Sequence, residues 1–215
     1  MIISSITEFS KKKLKILFED SSFLVVYKGM VDVEFTELSD EDYERLFKDM
    51  LNYGKRRAMN LLMTRDRSVK ELTEKLEEDG YNQVLIDAVI DFLNKYSYLN
   101  DSRVAEQIVR SFRNSKSVME LRQVLKRRGI SEEEAEKAIE VFYNQNDFEE
   151  EGTSAETVND NEILVIQKFL NKIGMTKDKL SELDYQEKNK LAAKLYRKGF
   201  KSENIRKAIS LSEYE

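Results

Sequence analysis

The chain is expected to be mainly α-helical, an elongated array of three tandem three-helix repeats preceded by a small N-terminal β-hairpin or meander. Three observations lead there. The first is a recurring phrase, L-x-x-x-G followed by an aromatic residue or Ile and then an apolar stripe. It occurs at Leu76…Gly80-Tyr81, Leu125…Gly129-Ile130 and Leu195…Gly199-Phe200, and each time the stripe falls six, nine and ten residues after the Gly. A phrase repeating in one register marks tandem structural units. The second is a pair of S-x-x-E signatures, Ser68/Glu71 and Ser117/Glu120, each opening an apolar-periodic run in capping-box spacing. The third is composition. A chain of 215 residues with 36% charged and 40% apolar residues suits several small helical units better than one thick core.

The segment 1–54 reads as a β segment plus a helix. Leu14, Ile16 and Phe18 alternate with Lys15 and Leu17, Glu19–Ser22 turn the chain, and Phe23–Tyr27 is a β-rich run. Lys28-Gly29-Met30 can turn it again into Val31, Val33 and Phe35. Such a small sheet is marginal alone and should pack on a helix. Ser39 caps a helix whose apolar face is Tyr43, Leu46, Phe47, Met50 and Leu51; it either stops at Gly54 or runs into Lys55-Arg56-Arg57.

Repeat 1 is assigned to 55–100. Its helices carry Ala58, Leu61 and Leu62, then Val69, Leu72 and Leu76, then Leu85, Ile86, Val89, Ile90 and Leu93 behind an Asn82 start. Repeat 2, residues 101–146, has Val104, Ala105, Ile108, Val109 and Phe112 on its first helix. Leu121 and Leu125 follow on the second, and Ala135, Ala138, Ile139 and Phe142 on a third capped by Ser131. An acidic linker is expected over 147–161. Repeat 3, residues 162–215, starts with Ile163, Ile166, Phe169 and Leu170, has a longer middle at Gly174–Tyr185, and returns to the phrase at Leu195. In each phrase Gly is the left-handed residue that ends a helix and the next residue closes an apolar contact. Leu76, Gly80, Leu125, Gly129, Leu195 and Gly199 are therefore assigned to the fold. Asp101 is read as a helix cap for residues 102–105.

The composition removes several chemistries. With no His and no Cys there is no zinc site of the usual kind, no thiol nucleophile and no His-based triad. No phosphate-cradling glycine loop and no calcium-loop motif is present. Composition alone leaves a carboxylate-held Mg²⁺ or Ca²⁺ open, but no acid/base pair stands out, and no enzymatic activity, cofactor or metal is expected. The absence of Pro leaves the helices without ring-imposed kinks; a biased codon pool explains it equally well. The N-terminal residues are too soon interrupted by charge for a signal peptide, and no apolar run approaches a membrane span, so a cytoplasmic monomer without membrane contact is expected.

Charge is uneven: −4 over 1–54, +5 over 55–128, −11 over 129–162 and +5 over 163–215, net −5. A duplex binder is usually basic throughout; this pattern suits a surface read at particular places. Repeat 2 supplies Arg103, Arg110, Arg113, Lys116, Arg122, Lys126, Arg127 and Arg128 against only Glu106 and Glu120 between 103 and 128. Arg103, Arg110 and Arg113 share a helix face, and Arg122 and Lys126 are one turn apart. They form either a ridge for phosphates and acidic side chains or an ordinary solvated face. Arg57 and Arg67 extend the candidate set. In repeat 3 the basic residues are mostly Lys, the commoner solubilising charge. Tyr81, Tyr96 and Tyr98 can stack on bases or pack a junction between units, and packing is preferred.

Several segments resemble the RecX family, bacterial regulators of the RecA recombinase. They are Arg57-Ala58-Met59-Asn60-Leu61-Leu62, Arg65-Asp66-Arg67-Ser68-x-x-Glu71-Leu72, Tyr98-Leu99-Asn100-Asp101-x-Arg103-x-Ala105, and Lys116-Ser117…Leu125-x-x-Arg128-Gly129-Ile130. The likeness is strongest over about 55–143. It implies a right-handed array of three-helix repeats and binding in the groove of the RecA–DNA filament. It also implies modulation, usually inhibition, of strand exchange, ATP hydrolysis and coprotease activity. Asn100 departs from the usual Leu-Asp-Asp pattern and leaves Asp101 as the cap. The partners expected from this reading are the RecA nucleoprotein filament and, more weakly alone, DNA. The alternatives are a direct single- or double-stranded DNA-binding module and a helical scaffold for another protein.

Overall fold

The computed structural model describes residues 1–144 and 158–209, without the side chains of 142–144 and 158–161. The described chain is mostly helical, with one antiparallel sheet, and forms two compact units, Met1–Asn100 and Asp101–Glu215.

The first unit opens with a meander of order β1-β2-β3: β1 (Ile3–Ser10), β2 (Lys13–Phe18) and β3 (Phe23–Tyr27). The third strand is thus the N-terminal segment, and Val31, Val33 and Phe35 lie outside any strand, with Val33 and Phe35 exposed. Their stretch turns back to tie down the terminus instead: Leu38 N–H donates to Met1 O at 2.8 Å and Ile3 N–H to Thr36 O at 2.9 Å. β1 is polar and its register shifts twice, between Ile3 and Ser5 and between Glu8 and Ser10. Bulges of this kind break the alternation by which a strand is recognised. Leu14, Ile16, Phe18, Leu24 and Val26 form the buried face and share one core with Leu46, Met50 and the first repeat. Val25, on the opposite face of β3, is also buried, and its side chain reaches the backbone at Gly80.

Helix α1 (Asp40–Thr64) begins at the Ser39 cap and runs unbroken through Gly54, so no element boundary separates 1–54 from the first repeat. Gly54 is not a stop. A Cβ there would lie 3.0 Å from Val89 and 3.1 Å from Tyr81, so glycine allows α1 to approach α3 closely. α2 (Val69–Glu78) and α3 (Gln83–Lys95) complete the repeat. Both predicted caps are formed, a full capping box at Ser68/Glu71 and an Asn82 side chain accepting from Leu85 N–H. Asn82 also donates to Phe23 O at 2.6 Å, fastening α3 to β3.

The second unit holds α4 (Asp101–Phe112), α5 (Val118–Arg127), α6 (Glu132–Asn144), α7 (Val158–Lys172), α8 (Lys177–Glu182), α9 (Tyr185–Arg197) and α10 (Ser202–Ile209). Asp101 is the first residue of α4, where its charge favours the positive end of the helix dipole. Of the acidic linker expected over 147–161, residues 147–157 lie outside the described residues, while 158–161 already belong to α7. The Phe142 side chain is likewise outside them. The longer middle of the third repeat is the short helix α8. Residues 104–139 and 165–209 build separate cores around Leu121/Leu125 and Leu191/Leu195.

The recurring phrase has one geometry in all three copies. Gly80, Gly129 and Gly199 take φ of +92°, +81° and +84°. Their N–H groups donate to Glu77, Lys126 and Tyr196 O, and the next residue donates back to the Leu carbonyl: Tyr81 to Leu76 at 3.0 Å, Ile130 to Leu125 at 3.1 Å, Phe200 to Leu195 at 3.4 Å. This is the Schellman closure, and Leu76, Leu125 and Leu195 are fully buried. A third capping box, Asp184/Glu187, opens α9 and was legible as D-x-x-E.

Candidate partner-binding surface

α4 places its basic residues by helical period. Val104, Ala105, Ile108 and Val109 face the core of the second repeat. Arg103 and Arg110, seven residues and close to two turns apart, project from the opposite, exposed side. Arg113 follows the end of α4 and is half-buried; its N–H donates to Val109 O at 2.7 Å. Lys116 is half-buried over the Phe112 ring at 5.2 Å. On α5, Lys126 and Arg127 are exposed and Arg128, at the helix end, is half-buried; Arg127 Nε donates to its own helix at Gln123 O. These positions also balance the negative end of the α5 dipole.

Arg122 has a different place. Its guanidinium grips Glu136 of α6 through two bonds, Nε to Oε1 at 2.6 Å and Nη2 to Oε2 at 2.9 Å, stapling α5 to α6. Sharing those protons with Glu136 raises the Arg122 pKa, and the same bonds lower that of the Glu136 carboxyl. The ridge of Arg122 and Lys126 is therefore a structural ion pair beside an exposed lysine. Because Glu136 is more acidic folded than unfolded, its contribution is present above the ordinary carboxylate range and fades as pH falls through the folded pKa. Both side chains are about half exposed, so a double-mutant cycle with Arg122→Ala and Glu136→Ala should give a coupling of no more than about 1 kcal/mol at pH 7, shrinking towards pH 3.

In the first unit, Arg57 Nε donates to Asp79 Oδ2 at 2.6 Å, and Arg67 Nε donates to Leu61 O at the end of α1. Tyr81 is buried in the core, where burial raises its phenol pKa. Tyr96 and Tyr98 are exposed, with Tyr96 packed against Phe92 at 5.0 Å between ring centres. In the third repeat Lys198 lies over Phe169 and binds Glu120 at 3.1 Å, so part of its lysine charge serves packing.

Sequence reasoning also missed a clasp inside the second unit. Ser117 Oγ accepts from Glu120 N–H at 3.1 Å, as a cap should, and donates to Lys198 O at 2.6 Å at the end of α9. Glu120 accepts from Ser117 N–H with one oxygen and from Lys198 Nζ with the other. The capping box of repeat 2 thereby holds the Gly199 turn of repeat 3. Among the described residues no His/Cys/Asp/Glu cluster could hold a metal, and no helix is long and apolar enough to cross a membrane.

Comparison with known proteins decides the family. Residues 55–93, 100–139 and 176–209 match, in order, the family models of the first, second and third three-helix domains of RecX. The chain belongs to the RecX family. Relatives named regulatory protein RecX include those of Clostridioides difficile (28% identical over 64% of this chain), Clostridium acetobutylicum (32% over 43%) and Bacillus subtilis (31% over 83%). The matched stretches span 68%, 44% and 62% of those proteins. A crystal structure titled regulatory protein RecX superposes with a TM-score of 0.61 at 18% identity, covering 97% of this chain and 98% of its own. The RecX structure from Lactobacillus salivarius gives 0.58 at 23% identity over 76% of this chain and 96% of its own. At these identities the two structures speak for the fold.

Proposed function

We propose that this RecX-family chain is a cytoplasmic, non-enzymatic regulator that binds the groove of the RecA–DNA filament and inhibits the recombinase, ATPase and coprotease activities of RecA. The observation that carries the reading is the ordered match of all three RecX helical domains, joined by relatives named as regulatory proteins. The exposed side of α4, with Arg103 and Arg110, is the contact surface in this reading. Arg113, Lys116, Lys126, Arg127 and Arg128 lie beside it in sequence and extend it, and Arg57 and Arg67 serve from the first repeat. Guanidinium groups suit both DNA phosphates and acidic protein side chains.

Purified protein acting as a monomer should inhibit RecA's DNA-dependent ATP hydrolysis at sub-stoichiometric to stoichiometric ratios. Unchanged ATP hydrolysis and strand exchange at saturating protein would contradict the proposal.

A further inference from the structure

The first unit carries a basic, aromatic cleft of about 570 Å³, which lies outside the α4 surface. That volume falls among the roughly 300–1,000 Å³ of clefts that hold small ligands. One wall is the β1–β2 turn, with Lys11 and Lys12 exposed at its tip and Lys13 opening β2. Another is the middle of α1, where Tyr53 and Arg57 stand one turn apart. The C-terminal end of α2 closes the floor.

The cleft is built rigidly. Lys13 Nζ donates to Asp79 O at 2.7 Å and lies 5.3 Å from the Tyr27 ring and 5.1 Å from that of Tyr81. Burial lowers the Lys13 pKa, partly offset by Asp79. Phe9 packs against Gly80 so tightly that a Cβ there would lie 2.7 Å from its ring. Lys13 and Arg57 both hold Asp79 and the carbonyl end of α2, which explains their charge structurally. That account leaves out Lys11 and Lys12, which make no ion pair among the described residues. It also leaves out the outer surface of Tyr53, whose ring packs on Tyr27 at 4.8 Å while 42% of the residue stays exposed.

We infer that this cleft binds a single-stranded nucleic acid segment, with backbone phosphates at Lys11 and Lys12 and a base stacked on Tyr53. Cations beside an open aromatic surface are the combination that holds unpaired strands without reading sequence. A duplex keeps its bases stacked and offers Tyr53 nothing, and an acidic peptide has no use for the ring. The site requires no RecA, so its test is separate from that of the filament proposal.

The test is fluorescence anisotropy of a labelled 20-nucleotide oligodeoxythymidylate with the full chain and no RecA, across a salt series. Lys11→Glu/Lys12→Glu, confined to an exposed turn, should weaken binding at least about 10-fold and flatten the salt dependence by about one to one and a half log units per log of salt. Tyr53→Ala should weaken it about 5- to 100-fold, while Tyr53→Phe keeps affinity within about twofold. The inference is overturned if the chain does not bind the oligonucleotide, if it binds a duplex of equal length as tightly, or if the lysine variant binds unchanged. A lysine variant that keeps oligonucleotide affinity but loses association with RecA filaments would assign the cleft to an acidic protein surface, and overturns it too.

Discussion

Gly199→Ala should destabilise the second unit by about 2–5 kcal/mol. Two costs add. A Cβ in the left-handed region at φ +84° costs roughly 1–2 kcal/mol. The same Cβ would fall on the side chain of Met119, in the first turn of α5, and such overpacking costs about 1–3 kcal/mol where the neighbour cannot move aside. A rotamer change does not relieve it, because the nearest atom, at 2.4 Å, is the Met119 Cβ itself, and the Ser117/Glu120 cap beside it is bonded to Lys198 on both its backbone oxygen and its ammonium. Gly174 is the internal control. It has φ +79°, but a Cβ there would meet nothing within 4 Å. Gly174→Ala should therefore cost only the backbone strain, roughly 1–2 kcal/mol. Urea unfolding of both variants, followed by far-ultraviolet circular dichroism, compares them; equal losses would show that the α5–α9 contact contributes nothing.

The second large effect concerns the proposed surface. Arg103→Glu/Arg110→Glu should weaken association with the RecA filament by at least about 100-fold, since each reversal removes a charge-assisted bond worth about 1.5–3 kcal/mol and adds repulsion. Neither side chain belongs to the buried face of α4, and the loss of binding is read against the variant's own stability. Filament binding measured by anisotropy of labelled protein, beside a thermal melt, separates the two. Undiminished binding would place Arg103 and Arg110 on an ordinary solvated face.

The helical repeats were readable because their signals are local. Ser68/Glu71 and Ser117/Glu120 are bonds between residues three apart, and each L-x-x-x-G phrase closes on itself within six residues. What was not readable depends on distant partners. Gly54 resembles a stop until Val89 and Tyr81 are seen against it. β1 resembles a polar lead-in because its bulges spoil the alternation and its partners are supplied by β2. Arg122 looks like half of a surface ridge, since the spacing rule sees Lys126 on its own helix and not Glu136 on the next. The clasp between Ser117 and Lys198 joins residues 81 apart, beyond any pattern of caps. The candidate surface was legible as a cluster of charge, while the division of that charge between staple and open face depended on the packing of α4, α5 and α6.

Co-sedimentation with RecA filaments assembled on single-stranded DNA reads filament binding without any intermediate step. The full chain should pellet with the filament near stoichiometry, and Arg103→Glu/Arg110→Glu should stay in the supernatant. Full-length, unsubstituted protein remaining in the supernatant at saturating filament would contradict the proposed binding.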